Sequence, residues 1–237
     1  MITTVIALFF IYRRYQFTVI EVPKYESTTK SINPGKNLNS KILIPNSILL
    51  SVPFSPQAPT GNWDLPHNEA CEEAGVIMAG EYFSGRTESL IPPKLFEAEL
   101  QRLTKWQQDN LGHYLDSTSA EIALMARANY GLKTRLIENF SAEDIKSALS
   151  RGKLVLISAN GRLLKNPYYK PPGPLHHLLL VKGFDENGNF ITNDSGTKRG
   201  AGYLYSFDAV YDAAGDWDAA KDTVDTDKKT AILIWRE

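Results

Sequence analysis

The chain has 237 residues, of which 43% are hydrophobic and 22% charged, with a formal net charge of −1. That length and apolar content suit one globular domain with a real core and a short appendage. The near-neutral balance, with no long basic run, excludes a nucleic-acid electrostatic footprint, and it excludes an acidic, solvating chain as well. The single cysteine excludes an intrachain disulfide, and a zinc site would need other ligand types.

The N-terminus opens on an apolar run, Met1 to Tyr12, closed by Arg13 and Arg14. A spanning helix needs ~20 apolar residues, so this run is short for one. It also lacks the leading charge and small-residue cleavage site of a signal peptide. Residues 1–23 therefore read as an apolar segment with three open interpretations: the tail of a truncated anchor, a membrane-surface segment, or an element packed on the domain. Membrane association through this segment and an extracytoplasmic location are the expectations that follow, with a cytoplasmic location as the alternative. Residues 24–43, rich in Lys, Ser, Thr, Asn, Pro and Gly, read as a linker.

The folded unit is expected over 44–237. It begins with short β-like runs broken by Pro45 and Pro53. Ala70, Ala74, Ile77, Met78 and Tyr82 then recur at helical spacing within Glu69 to Phe83. A second helix is predicted after Pro92, with Leu95, Phe96, Leu100 and Leu103 on one face. Thr118 and Glu121 have capping-box spacing ahead of a third helix through Tyr130, and Ser141 and Asp144 repeat the signal more weakly before a fourth. Gly152 ends that one. Strands are predicted at 154–158, 178–181, 190–192, 203–207 and 231–235, with Asn187-Gly188 marking a hairpin turn. Helices first and strands later give an α+β class, helices packed on an antiparallel sheet.

A lone cysteine is most often an inert core residue. Cys71 departs from that pattern because it sits at the start of the first strong helix, where unpaired N–H groups favour a thiolate. Glu72 and Glu73 oppose this, so a cationic partner is required. Of the four histidines, His113 reads as a surface loop residue and His67 as a helix-start surface residue or part of the site rim. His67-Asn68-Glu69 also fits half of a zinc deaminase signature, but P-C-x-x-C is absent. His176 and His177 stand at a strand mouth, where alternation would turn one towards the site and the other away. Asp194 lies seventeen residues after His177, on the return strand; it would orient the imidazole, or it is only a turn residue, with Asn193 as the fallback. Gln57 is a candidate oxyanion donor beside the Cys71 N–H, or simply a loop residue between prolines.

Two blocks, 52–85 with Q-A-P, G-x-W and A-C-E-E-A, and 166–200 with H-x5-G-F-D followed by N-D-x-G-T, resemble the C39-like branch of the papain-like cysteine peptidases. With Tyr205-Ser206-Phe207 the resemblance spans roughly 44–237. It implies a papain-like α+β fold, Cys71 as nucleophile, His177 as base (six residues before Gly183), Asp194 as orienting acid and Gln57 as oxyanion donor, with a peptide or protein as substrate and no cofactor or metal. Ser195 is a departure, since the family commonly has proline after that aspartate. The residues in hand include no ATP-binding cassette, so a bacteriocin-exporter role does not carry over.

The function expected is therefore a cysteine peptidase or amidase working through an acyl-enzyme. Three alternatives share the sequence. A thiol acyltransferase would use the same site, a peptide- or cell-wall-binding module would have lost catalysis, and a plain globular domain would bury its cysteine. Trp63, Tyr168 and Tyr169 read as groove, core or lid residues, Trp217 as core, and the Pro-rich stretch 166–174 as a border of the groove.

Overall fold

The computed structural model describes residues 44–237. The apolar segment 1–23 and the linker 24–43 lie outside the described residues. No described helix is long and apolar enough to cross a membrane.

The first half is helical, as its periodicity predicts. After a two-residue strand β1 (Ile48–Leu49) and a 3-10 turn (His67–Glu69) come α1 (Cys71–Phe83), α2 (Pro93–Leu111) and α3 (Ser119–Tyr130). Pro92 and Pro93 start α2 where a missing N–H costs nothing, and Gly112 ends it in the left-handed conformation. Thr118 and Glu121 form a full capping box on α3. An edge strand β2 (Lys133–Glu138) and α4 (Ala142–Ser150) follow. Ser141 and Asp144 cap α4 with both bonds of the box, a stronger cap than their sequence suggested.

The second half is the sheet: β3 (Leu154–Ala159), β4 (His177–Phe184), β5 (Phe190–Asp194) and β6 (Ala201–Tyr205), then α5 (Phe207–Ala213), the small pair β7 (Asp216–Asp218) and β8 (Thr223–Asp225), and β9 (Thr230–Trp235). The main sheet runs β2-β9-β3-β4-β5-β6, every pairing antiparallel, and β1 joins β4 at Phe184 and Gly183. The α+β expectation holds. The strand expected at 203–207 ends at Tyr205, because Ser206 caps α5.

Helix α1 is the pivot of the architecture. Ten of its thirteen residues are buried, Glu72 and Glu73 among them, so it is enclosed nearly all round rather than amphipathic. It packs on β4, α2 and α3 together. Close approach to the sheet depends on Gly75, where an added Cβ would stand 2.6 Å from Leu178 Cδ2. Gly75 is four residues after Cys71 and Leu178 follows His177, so this contact seats the helix start against the strand start. The same hairpin that begins at β4 returns through the turn at Asp185 to Asn189. There Asp185 Oδ1 accepts from the N–H groups of Asn187 and Asn189, and Gly188 takes φ +82°. The return strand brings Asp194 opposite Leu179, alongside the start of β4.

Candidate active site

One cavity of about 870 Å³ collects Cys71, His177, Gln57 and His176 in its wall. Cys71 is the first residue of α1, so its own N–H has no intrahelical partner and faces the helix-start region. Its Sγ donates to Glu72 Oε2 at 2.9 Å and makes no hydrogen bond to His177. Burial first, and then the Glu72 carboxylate, push the thiol well above its ordinary range, while the Leu178 N–H pulls the other way. In this arrangement the thiol is neutral. The thiolate expected from the helix position alone is outweighed by desolvation and by a carboxylate at its side.

His177 is buried and donates from Nε2 to Asp194 Oδ1 at 2.8 Å. That choice of nitrogen leaves Nδ1 as the basic position of the ring. Asp194 is fully buried and held by five donors. His177 Nε2 and the Gly196 N–H meet Oδ1, while Tyr169 Oη (2.6 Å), Tyr205 Oη (2.7 Å) and Asn166 Nδ2 (3.0 Å) meet Oδ2. Burial alone would raise the Asp194 carboxyl, but the facing His177 and these hydrogen bonds hold it down at about 2. Tyr169 also packs edge-on against the His177 ring, centroids 5.3 Å apart. Gly196 closes the other side: a Cβ there would lie 3.0 Å from His177 Cε1. Asn193, the fallback for the acid, instead donates to the Val52 and Pro53 carbonyls.

Gln57 lines the cavity, but its amide is already in use. Nε2 donates to His67 O at 2.8 Å and Asn68 O at 3.2 Å, tying the loop to the turn that precedes Cys71. Ser195 holds it from the other side, the Gln57 N–H donating to Ser195 O at 2.9 Å and the Ser195 hydroxyl to Oε1 at 3.4 Å. The serine at the position of the expected proline thus braces Gln57.

The expectation that one of the two histidines turns away does not hold, since both line the cavity. His176 precedes β4, which starts at His177, so strand alternation does not govern it. Its Nδ1 faces Asp116 Oδ1 (3.0 Å) and Glu72 Oε1 (3.3 Å), and Nε2 meets Ser158 Oγ (2.6 Å). Burial would depress His176, but Glu72, Asp116 and Asp216 outweigh it and raise its pKa. Its ring stacks on Trp217, centroids 5.1 Å apart. Trp217, expected in the core, is buried and also lines the cavity. The Pro-rich stretch does border the groove, through Tyr168, Tyr169, Lys170, Gly173 and Pro174. His67, expected at the surface or on the rim, is buried and pairs with Glu97 at 2.8 Å. His113 sits half-buried in the loop between α2 and α3, beside Glu121 at 3.2 Å.

The family model described as the Peptidase_C39 like family matches residues 49–224, about three quarters of the chain. The chain belongs to the Peptidase_C39 like family. Membership brings a cysteine peptidase-type fold. Among solved structures, a C39-like peptidase from Bacillus anthracis aligns with a TM-score of 0.50 and 14% identity, covering 81% of this chain and 98% of that one. At that identity the likeness is one of fold. UfSP from C. elegans aligns with a TM-score of 0.32 and 16% identity, over 70% of this chain and 29% of that one. No curated protein matches the sequence.

Sequence reasoning missed four groups around the candidate site: Asn166, Tyr169 and Tyr205 on Asp194, and the Glu72–His176–Asp116 cluster. Tyr205 carried a signal, since Tyr205-Ser206-Phe207 belonged to the resemblance. Asn166 and Tyr169 come from a loop whose path no periodicity encodes.

Proposed function

We propose that the protein is a cysteine peptidase or amidase with Cys71 as nucleophile, His177 as base, Asp194 as its orienting acid, and the Cys71 N–H and Gln57 as oxyanion donors. The observation that carries the proposal is the His177–Asp194 pair. A buried, five-fold hydrogen-bonded carboxylate fixes Nε2 as the donor and leaves Nδ1 basic, in the cavity wall that also holds the only cysteine. A core histidine would not require so complete an anion cage.

The reaction begins as the thiol leaves Glu72 and gives its proton to His177 Nδ1. The sulfur attacks the carbonyl carbon of the substrate amide, and the electron pair moves to oxygen. The Cys71 N–H meets that oxyanion. Gln57 joins it by releasing its longer bond, the one to Asn68 O at 3.2 Å. The tetrahedral intermediate collapses, the C–N bond breaks, and the imidazolium returns its proton to the leaving amine. Water, deprotonated by His177, then attacks the thioester. The carboxylic acid leaves and the thiol is restored. Asp194 stays ionised throughout and stabilises the imidazolium.

The test is a peptide-library digest followed by mass spectrometry, repeated with Cys71→Ala and with hydroxylamine present. Hydrolysis that disappears in Cys71→Ala, with hydroxamate products formed from the wild type, supports an acyl-enzyme. Full turnover in Cys71→Ala would sink it. Amine adducts in preference to acids would assign the same site to a thiol acyltransferase.

The Cys71–Glu72 hydrogen bond favours a second reading, a peptide-binding domain in which the thiol has fallen idle. The two readings part on whether His177 controls the reactivity of Cys71.

A further inference from the structure

The cavity has a chemical bias that the proposed reaction does not need. Three carboxylates line it, Glu69, Asp116 and Asp222, against one lysine, Lys170. Among the described residues neither Glu69 nor Asp222 pairs with any cation, and Asp116 pairs only with His176. Glu72 lies behind His176, and Asp216 adds its field at the same ring. Burial first, then Asp116 and Glu72, raise the Glu69 carboxyl, while His176 pulls the other way. Two indoles share the wall: Trp63, 43% exposed, and Trp217, stacked on His176.

We propose that Glu69, Asp116 and Asp222, with Trp63 and Trp217, form a subsite for a cationic side chain of the substrate, a lysine or an arginine. The inference rests on the reading of Cys71 as the nucleophile of this cavity. Glu69 ends the turn that leads into Cys71, only two residues before it, so the cation sits close to the scissile carbonyl. Indoles accept the alkyl stem and the charged head together, by packing and by cation–π attraction. The carboxylates offer the head charge-assisted hydrogen bonds.

A bare divalent ion fits less well. Glu72, Asp116 and His176 do place three donor atoms within 4.8 Å of one another. Those donors are already joined by the His176 proton, and Glu72 Oε1 also accepts from the Ser117 N–H. A volume of about 870 Å³ has room for a side chain and its backbone.

The experiment measures how well small amides protect Cys71 of the full chain from iodoacetamide, with EDTA present throughout to remove divalent ions. The amides are N-acetylarginine amide, its neutral isostere N-acetylcitrulline amide, and N-acetylglutamate diamide's acidic counterpart, N-acetylglutamic acid amide. The arginine compound is expected to protect at concentrations about tenfold below the citrulline compound, the acidic one hardly at all. The discrimination is expected to shrink to about threefold in Asp222→Asn and to vanish in Glu69→Gln with Asp222→Asn. Comparing two ligands within each protein cancels any common change in thiol reactivity. Equal protection by arginine and citrulline compounds in the wild type overturns the subsite. So does a discrimination that survives the double substitution. Failure of the nucleophile reading would show separately, as a labelling rate unaltered by His177→Ala.

Discussion

In the candidate site two carboxylates treat their neighbours in opposite ways. Asp194, caged by five donors, is held ionised beside His177; Glu72 adds to burial in keeping the Cys71 thiol neutral. Removing one donor from the cage therefore should act through His177 rather than on the thiol directly. Tyr169→Phe or Tyr205→Phe is expected to lower turnover about tenfold and to move the acid limb of the pH–rate profile, since the orienting charge loses a bond of ~1–2 kcal/mol. A merely structural tyrosine would lower the rate without moving the profile. Glu72→Gln is expected to do the reverse at the thiol, bringing its titration down and speeding iodoacetamide labelling below pH 8 several-fold, because the carboxylate that raises the thiol is gone. Unchanged labelling in Glu72→Gln would leave burial and the neighbouring Glu73 as the brakes. Cys71, His177 and Asp194 were legible in the sequence through their two motif blocks. The opposition of Glu72 was legible as a nearby charge, but its direct bond to the thiol depends on side-chain torsions that no sequence pattern specifies. His176 was misread because strand alternation was applied one residue before the strand begins.

The elements explain why these residues meet. Four helices announced themselves by periodicity and capping, and five sheet strands by apolar runs. Strand β2 was invisible because it is an edge: Lys133, Thr134 and Arg135 keep it polar, and charge on an edge strand guards against sheet-to-sheet pairing. β7, β8 and α5 are three to seven residues long, too short for a period to register, whereas β1 falls within the short β-like runs expected between Pro45 and Pro53. The α3 cap bears on the site, because the loop ahead of it carries Asp116 and Ser117, which reach His176 and Glu72. Thr118→Ala should cost about 1 kcal/mol in urea unfolding, by loss of the capping box. Gly75→Val should cost more, roughly 1–3 kcal/mol, since the added atoms meet Leu178 where α1 presses on β4. If Gly75→Val unfolded at the wild-type urea midpoint, the tight seating of α1 would be disproved.

At the scale of the molecule, the helical half carries Cys71 and the sheet half carries His177 and Asp194, so the proposed site requires the two halves to be docked. Its electrostatics should appear in stability. The Asp194 carboxyl is depressed on folding, so its contribution is present above about pH 4 and is lost as pH falls towards about 2. The size is roughly 2 kcal/mol, and the stability advantage of wild type over Asp194→Asn should narrow by that amount across this window. An advantage constant from pH 5 to pH 2 would mean that Asp194 is not held ionised. The most direct test of the central claim, that His177 activates Cys71, is the pH profile of iodoacetamide alkylation in wild type and His177→Ala. The account predicts labelling of the wild type that persists below pH 7 and disappears in His177→Ala, because the imidazole is the base proposed to take the thiol proton from its Glu72 contact. Superimposable profiles in the two proteins, each titrating as a buried thiol without a partner, would contradict it.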